Sequence, residues 1–448
     1  MQVSKKLDWP SAVLVRWTSV VWILAVVGMG KYATSQQLPP VNYDESKVPA
    51  YQLPDPLVRL DGRPVRTAEE WWQERRPEIL RLFEQHVYGT TPSKKVRLEW
   101  QLVESSTDAL QGKAIRKQLV GRFPDYPQAP EFDLLLYVPK GKTPAPVFLG
   151  LNFNGNHAVH SDPAIRLTRS WVRNNPAAGI TQNRAVESSR GMASSRWPVE
   201  YILERGYALA TMYYGDIDPD YDDGFQNGIH PLFYEPGQTR PHPEQWGSIG
   251  AWAWGLQRAL DYLLSDGNID PKRVCVMGHS RLGKTALWAG AQDQRFALVV
   301  SNNSGCGGAA LSRREFGETV LRINTAFPHW FNDVFPTYND RVSELPVDQH
   351  MLIALIAPRP VLICSAEEDL WADPRGEFLS ALHADPVYRL LGTDGLAVKE
   401  MPGLKEFVAS RISYHIRPGK HDVTPYDWQV YLDFADLQLT KSSGDTKR

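Results

Sequence analysis

The second half of the chain alternates short apolar runs with stretches of helical periodicity. Four apolar runs of strand length predict buried strands, at residues 207–214, 273–277, 298–301 and 360–365. Apolar residues at helical spacing predict helices at residues 248–264, 284–291 and 426–437. Because strands that are apolar throughout alternate with helices, this half predicts a mostly parallel α/β sheet.

The first half predicts antiparallel strands instead. Apolar or alternating runs follow one another at residues 96–103, 113–120, 132–138 and 146–153. Before them, Thr67 and Glu70 form a capping box that opens a helix ending at Gly89, and Pro77 is expected to kink or split this helix. Residues 162–198 are polar and irregular, so we expect them to form a long surface insertion.

The first 35 residues are expected to lie outside the folded domain. Lys5, Lys6 and Arg16 precede an apolar run at residues 17–29, and small residues follow at 33–35, which is typical of a secretory signal peptide. The run is shorter than the about 20 apolar residues of a membrane span, and an uncleaved anchor is the alternative. We therefore predict a secreted or periplasmic protein with no membrane association after cleavage. No repeat or linker follows, so residues 36–448 predict one domain.

Composition narrows the function classes. Lys and Arg number 49 and Asp and Glu 51, and this net charge of −2 argues against a nucleic-acid-binding protein. Three cysteines are too few for a disulfide scaffold, and their odd number predicts that at least one of Cys275, Cys306 and Cys364 is a buried thiol. The 15 Trp and 18 Tyr suit a large core, and they also suit flat surfaces on which sugar rings stack.

The strongest chemical signal is the segment Gly278-His-Ser-Arg-Leu-Gly283, which joins a predicted buried strand to a predicted helix. A serine in such a sharp turn stands at the carboxyl edge of the sheet, where the first N–H groups of the helix can bind an oxyanion. Ser280 is therefore the candidate nucleophile. The usual motif has glycine two residues after the serine; here Leu282 occupies that place and Gly283 follows it.

A serine nucleophile needs a histidine base and a carboxylate that orients the base. In α/β-hydrolases the acid and then the histidine follow the serine along the chain. His421, just before the last predicted helix, is the candidate base; its competitor His350 precedes the last predicted strand, out of order. Asp369, after that strand, is the first choice for the acid and Glu368 the second. Asp422 is adjacent to His421 and is interpreted as structural.

Motifs over most of the chain after the leader resemble those of the glucuronoyl esterases, carbohydrate esterase family 15. The matching segments are Gly278-His-Ser-Arg-Leu-Gly-Lys284, Ser304-Gly-Cys-Gly-Gly308, Arg313-Arg-Glu-Phe-Gly-Glu318, Phe327-Pro-His-Trp-Phe331, Asp348-Gln-His350, Trp371-Ala-Asp-Pro374 and Gly419-Lys-His421. The predicted helix ending His86-Val-Tyr-Gly89 fits the bacterial members. One departure is Asn303, where many members carry a catalytic Glu; other bacterial members use an acid after the later strand, here Asp369.

The resemblance implies an α/β-hydrolase fold, a three-layer αβα sandwich, and a serine esterase without a metal ion or other cofactor. It implies hydrolysis of esters of 4-O-methyl-glucuronic acid, as in linkages between lignin alcohols and glucuronoxylan. The partner would thus be a uronic-acid-bearing polysaccharide, and we expect a monomer. The site residues so implied are the catalytic Ser280, His421, Asp369 and Arg281, the last stabilising the oxyanion, and the sugar-binding Lys284, Glu318 and Trp371.

Two other hypotheses stay open. An acetyl-xylan or other carbohydrate esterase could share the fold, although Arg281 and Lys284 beside the nucleophile favour a polar uronate. A polysaccharide-binding protein on an inactive hydrolase scaffold is supported only by Asn303. The sequence leaves open the alcohol leaving group and the preference between glucuronate and galacturonate.

Overall fold

The computed structural model describes residues 38–141 and 143–439, so the predicted leader at residues 1–35 lies outside the described residues. The strands are β1 (Glu99–Asp108), β2 (Ala114–Arg122), β3 (Phe132–Pro139), β4 (Ala145–Asn152), β5 (Ala208–Tyr213), β6 (Ile269–His279), β7 (Leu298–Asn302), β8 (Val361–Ala366) and β9 (Ile412–Arg417). They form one sheet in the order β1-β2-β3-β5-β4-β6-β7-β8-β9. Pairing is antiparallel from β1 to β5 and parallel from β5 to β9.

Helices lie before β1, in the connections between strands and after β9. They are α1 (Ala68–Glu70), α2 (Arg76–Phe83), α3 (Ala109–Gly112), α4 (Val199–Glu204), α5 (Tyr214–Ile217), α6 (Ser248–Leu263), α7 (Arg281–Gln292), α8 (Val320–Ala326), α9 (Gln349–Ala354), α10 (Pro374–Leu390) and α11 (Pro425–Leu439). The mixed sheet and the α/β class confirm the fold prediction.

Two hydrophobic layers sandwich the sheet. Successive residues of β3 point to opposite faces, so Leu134 and Leu136 join one cluster while Leu135 and Tyr137 join the other. Residues of α2, α6, α7, α9 and α10 complete the first cluster, and residues of α4 and α11 complete the second. Burial on both faces explains why the central strands read as continuous apolar runs. The three cysteines are buried free thiols within this core.

The helix is not split at Pro77 as predicted; its hydrogen-bond pattern changes just before the proline instead. The capping box of Thr67 and Glu70 is present, and the chain stays helical from Ala68 to Tyr88. A π-helical segment, Trp71–Arg75, precedes α2, and Pro77 lies in the first turn of α2. The Arg76 N–H donates to the Trp71 carbonyl five residues back, so the wider π turn lies where the missing N–H of the proline interrupts the α pattern.

The segment 162–198 is irregular, as predicted, but it is not confined to the surface. Ile165, Val172, Ile180 and Trp197 are buried. The Trp197 ring lies 6.1 Å from that of Trp428 on α11. This segment therefore packs against the sheet layers and holds a defined position. Among the described residues, no helix is long and apolar enough to cross a membrane.

Candidate active site

The turn between β6 and α7 holds Ser280 in a strained conformation. Ser280 has φ +59° and ψ −130°, a region that non-glycine residues rarely adopt. A Cβ atom on Gly278 would lie 1.9 Å from the Leu282 carbonyl oxygen, so only glycine fits there. The Ser280 N–H donates to the Asn302 carbonyl at 2.9 Å, which ties the turn to β7. The strand–turn–helix geometry predicted for the candidate nucleophile is present.

Asp369 and His421 form the candidate acid–base pair. Asp369 follows β8 and is buried, and its Oδ2 lies 2.6 Å from His421 Nδ1. The Asn303 side-chain amide donates to the same carboxylate oxygen at 2.8 Å. Glu368 is exposed, and the geometry gives the base-orienting position to Asp369. Since Nδ1 donates to Asp369, Nε2 of His421 is left free to act as a base.

The residues interpreted as structural have other partners. His350 Nε2 donates to the Pro54 carbonyl at 2.8 Å, and its ring is buried away from this pair. Asp422 accepts from Arg196 Nε at 2.6 Å. Neither group contacts Ser280.

A second histidine supports the candidate base. The His279 ring lies 4.5 Å from the His421 ring at an angle of 42°. His279 Nδ1 contacts the Asn302 side-chain oxygen at 2.7 Å. Burial and the neighbouring His421 and Arg196 hold the pKa of His279 well below its usual range, so it stays neutral at physiological pH. A neutral ring thus packs against the face of His421.

Arg281 is held by a buried carboxylate and by aromatic rings. Its Nη1 donates to Asp220 at 2.6 Å, and its guanidinium carbon lies 4.8 Å from the Trp330 ring centroid. Asp220 also accepts from His329 at 3.1 Å and from Trp330 Nε1 at 2.8 Å. Burial would raise the pKa of Asp220, but these hydrogen bonds and the Arg281 charge lower it well below the usual range. Asp220 is therefore a permanent anion that fixes Arg281 beside Ser280.

Lys284 and Glu318 place opposite charges on the cleft floor. Both side chains are nearly fully buried, and Lys284 Nζ lies 3.8 Å from Glu318 Oε2. Burial lowers the pKa of Lys284 and raises that of Glu318. Lys284 also donates to the Ser304 carbonyl. The Glu318 N–H donates to the carbonyl of Trp371, whose exposed ring stands at the rim.

These side chains line one cleft of about 360 Å³. The described structure brings all seven predicted site residues to its wall: Ser280, Arg281, Lys284, Glu318, Asp369, Trp371 and His421. The cleft thus combines a strained serine, an acid–base pair and a charged, aromatic-rimmed pocket.

Comparison with known proteins identifies the family. The family model described as glucuronyl esterase of fungi matches residues 231–392. Carbohydrate esterase MZ0003, from an unknown prokaryotic organism, is 57% identical over 89% of this chain and 92% of its own. A CE15 esterase from a marine bacterial metagenome, of solved structure, is 56% identical, with a TM-score of 0.84 over 89% of this chain and 100% of that one. The chain belongs to carbohydrate esterase family 15.

Solved structures agree with this assignment. The glucuronoyl esterase from Solibacter usitatus is 51% identical, with a TM-score of 0.84 over 88% of this chain and 99% of that one. The 4-O-methyl-glucuronoyl methylesterase of Schizophyllum commune is 29% identical over 76% of this chain and 74% of its own. This family 15 protein is a carboxylic ester hydrolase with glucuronoyl esterase function.

Two residues of the esterase's site escaped the sequence analysis. Asp220 lies in a segment with several aspartates, and no sequence pattern distinguished it from its neighbours. Glu377, on α10, accepts from the backbone N–H groups of Ser304 and Gly305 at 2.8 and 3.0 Å and from the Ser365 hydroxyl at 2.6 Å. It anchors the loop after β7 that forms part of the cleft. In the sequence, Glu377 was marked only by its position three residues after the segment Trp371-Ala-Asp-Pro374.

Proposed function

We propose that this esterase is an exported serine hydrolase that cleaves esters of 4-O-methyl-glucuronic or glucuronic acid in lignin–glucuronoxylan linkages. The observation that carries the proposal is the juxtaposition, in one cleft, of the His421–Asp369 pair with the buried Lys284–Glu318 pair. The first pair suits activation of Ser280. The second suits a substrate with several hydroxyl groups, because a cation and a carboxylate together bind hydroxyls as donor and acceptor.

The proposed first half-reaction forms an acyl-enzyme. His421 Nε2 takes the Ser280 hydroxyl proton as the serine oxygen attacks the ester carbonyl carbon, and Asp369 stabilises the imidazolium. The carbonyl oxygen becomes an oxyanion. The N–H of Arg281, at the start of α7 where intrahelical acceptors are lacking, and the guanidinium fixed by Asp220 are the donors available to it. The C–O bond to the alcohol breaks, and His421 protonates the leaving oxygen.

The second half-reaction releases the acid. His421 takes a proton from water, the resulting hydroxide attacks the glucuronoyl carbonyl, and the Ser280 oxygen leaves with the proton from His421. Asn303, at the position where many family members carry a glutamate, serves here as a donor to Asp369. An amide there keeps the carboxylate in place without adding a second negative charge beside it.

The test is hydrolysis of benzyl glucuronate, compared with methyl galacturonate, an aryl acetate and acetylated xylan. We expect a preference for the glucuronate that disappears in Ser280→Ala. A preference for the acetylated substrates would instead support the other carbohydrate-esterase hypothesis. Activity that survives in Ser280→Ala would contradict the proposed nucleophile.

A further inference from the structure

The loop that carries His421 lies at the surface, between β9 and α11. Residues 418–422 belong to no helix or strand, and the side chain of His421 is 40% exposed. The contact with Asp369 engages Nδ1 of the imidazole, but one hydrogen bond leaves the ring free to turn about it and does not fix the loop backbone. A general base must stay within hydrogen-bond reach of the proton that it takes, so other groups have to hold this loop.

Arg417, the last residue of β9, donates to the backbone of this loop. Its side chain is buried. Its Nη1 donates to the carbonyls of Pro418 and Lys420 at 3.1 Å each, and its Nη2 donates to the Asp422 carbonyl at 2.6 Å. Lys420 and Asp422 are the two neighbours of His421 along the chain. One guanidinium thus holds the backbone on both sides of the candidate base.

The guanidinium is itself held by the buried Asp427 of α11. Arg417 Nε donates to Asp427 Oδ2 at 2.7 Å, and Thr424 donates to the same oxygen through its N–H at 2.7 Å and its hydroxyl at 2.8 Å. Because Nε binds this carboxylate while both Nη atoms bind carbonyls, the planar group is fixed in one orientation. The single nitrogen of a lysine cannot reach acceptors that are spread around a guanidinium.

The same carboxylate is connected to the ring of the candidate base through Asn302 and His279. Asp427 Oδ1 accepts from the Asn302 amide nitrogen at 3.3 Å, which leaves the amide oxygen 2.7 Å from His279 Nδ1. Because an amide oxygen only accepts, His279 carries its proton on Nδ1 and donates it to Asn302. The His279 ring, held in this way, lies 4.5 Å from the His421 ring and packs against its face.

We propose that Arg417 and His279 are positioning residues for the base, joined through Asp427 into one buried network that fixes His421 from two sides. Arg417 sets the course of the backbone, and the His279 ring limits rotation of the imidazole while Nδ1 stays on Asp369. The inference rests on the part of the proposed function that makes His421 the base. A displacement of about 1 Å costs a catalytic group about 100-fold in rate, so residues that never touch the substrate control the reaction here.

The first test is Arg417→Lys, which keeps the positive charge beside Asp427 but loses the three-carbonyl contact. On benzyl glucuronate we expect kcat to fall about 10- to 100-fold while KM changes less than about twofold, because the loop moves and the sugar-binding side of the cleft does not. The proton NMR signal of His421 Nδ1–H, which the Asp369 contact shifts downfield, reports the position of the ring directly. It should weaken or shift in this variant.

Arg359→Lys is the matched control. Arg359 is partly buried and also donates to three carbonyls, those of Gly290, Asp293 and Phe296, but it does not line the cleft. The change should cost stability and leave kcat and the downfield signal as they are. An equal loss of kcat in both variants would show that the effect of Arg417→Lys is a general loss of stability, and would overturn the inference.

His279→Asn tests the other side of the base and does not depend on the folding of Arg417→Lys. It keeps an amide donor for Asn302 but removes the ring from the face of His421. We expect kcat to fall about 3- to 10-fold with KM unchanged. Wild-type kcat and an unchanged downfield signal in this variant would overturn the inference alone. Full activity of His421→Ala would overturn the proposed role of the base and the inference with it.

Discussion

The two sides of the candidate nucleophile Ser280 are built on different principles. On one side, which we call the elbow wall, lie residues 278–284 and the loop at 303–308. Its charged side chains, Arg281 and Lys284, are held by hydrogen bonds to Asp220 and to the Ser304 carbonyl. On the other side, beyond Phe153, lies a cavity of about 390 Å³ that we call the side cavity, with Asn154, Asn175 and Asp422 on its wall. The Asn154 and Asn175 amides are half-exposed, and within the described residues they form no hydrogen bond to a protein group. Preorganised, dehydrated charges suit a group whose charge changes during the reaction. Adaptable, hydrated polar groups suit a substrate portion that has only to be held.

Breaking the acid–base pair should have the largest effect. Asp369→Asn keeps the size of the side chain but removes the charge and the acceptor for His421 Nδ1–H. We expect kcat to fall by about 10³- to 10⁴-fold, as loss of the orienting acid does in catalytic triads. The matched variant Glu368→Gln changes an exposed carboxylate one residue away and should retain activity. Steady-state kinetics on benzyl glucuronate would decide; a larger loss in Glu368→Gln would transfer the acid role to that residue.

Removing the anion behind Arg281 should have the next largest effect. Asp220→Asn leaves the guanidinium without its buried counter-charge, so it is free to swing from the position beside Ser280. We expect kcat to fall by about 10- to 100-fold while KM changes little, because the oxyanion exists only after attack. Asp222→Asn, on the same loop but exposed, is the control. A loss confined to KM would mean that Arg281 contributes to ground-state binding instead.

The sequence located the Ser280 turn and the Asp369–His421 pair better than the rest of the site. Ser280 lies in a motif whose spacing dictates a local turn, and His421 and Asp369 follow strands or precede helices in a fixed chain order. Glu377 and Asp220 could not be found in this way, because their roles depend on contacts between segments that are distant along the chain. For the side cavity, the sequence predicted only that residues 162–198 form a polar, irregular insertion.

The secondary structure was also predicted well in some segments and missed in others. Uniformly apolar strands such as β7 and β8 were predicted within about one residue. Strand β9 was missed because its buried face includes His415 and Arg417, which interrupt the apolar pattern. Arg417 is neutralised by Asp427 of α11, whose Oδ2 accepts from Arg417 Nε at 2.7 Å. Helix α10 was missed because Pro386 lies inside it and its sequence carries few apolar residues in a row. In β9, a tertiary partner thus overrode the local pattern.

Glu377 offers a pH test of the elbow wall. Burial raises the pKa of this carboxyl from 4.5 to about 8, so the folded protein keeps its proton there. Its contribution to stability is fully present below pH 4.5 and is lost as pH rises through 8, because over that window only the unfolded chain releases the proton. Glu377→Gln should keep the hydrogen bonds and remove this dependence.

The measurement is the free energy of unfolding of both proteins between pH 4.5 and 8. We expect the difference, wild type minus Glu377→Gln, to decline by at least about 1 kcal/mol across the window. Glu377→Ala provides the structural comparison, since it also deletes the acceptors for Ser304 and Gly305 and should destabilise at every pH. A difference that stays constant with pH would show that Glu377 is ionised in the folded state.

The smallest effect is expected at the edge of the side cavity. Asp422→Asn breaks the ion pair with Arg196, whose side chains are 47% and 36% exposed. Solvent and salt screen such a pair, so the free energy of unfolding should change by only about 0 to 1 kcal/mol, and by less at high salt. Asp427→Asn is the matched buried case, because it strands Arg417, and should cost about 3 to 5 kcal/mol. Urea unfolding at two salt concentrations measures both. Similar losses in the two variants would mean that the Asp422–Arg196 pair at the side cavity is held as firmly as the buried Asp427–Arg417 pair.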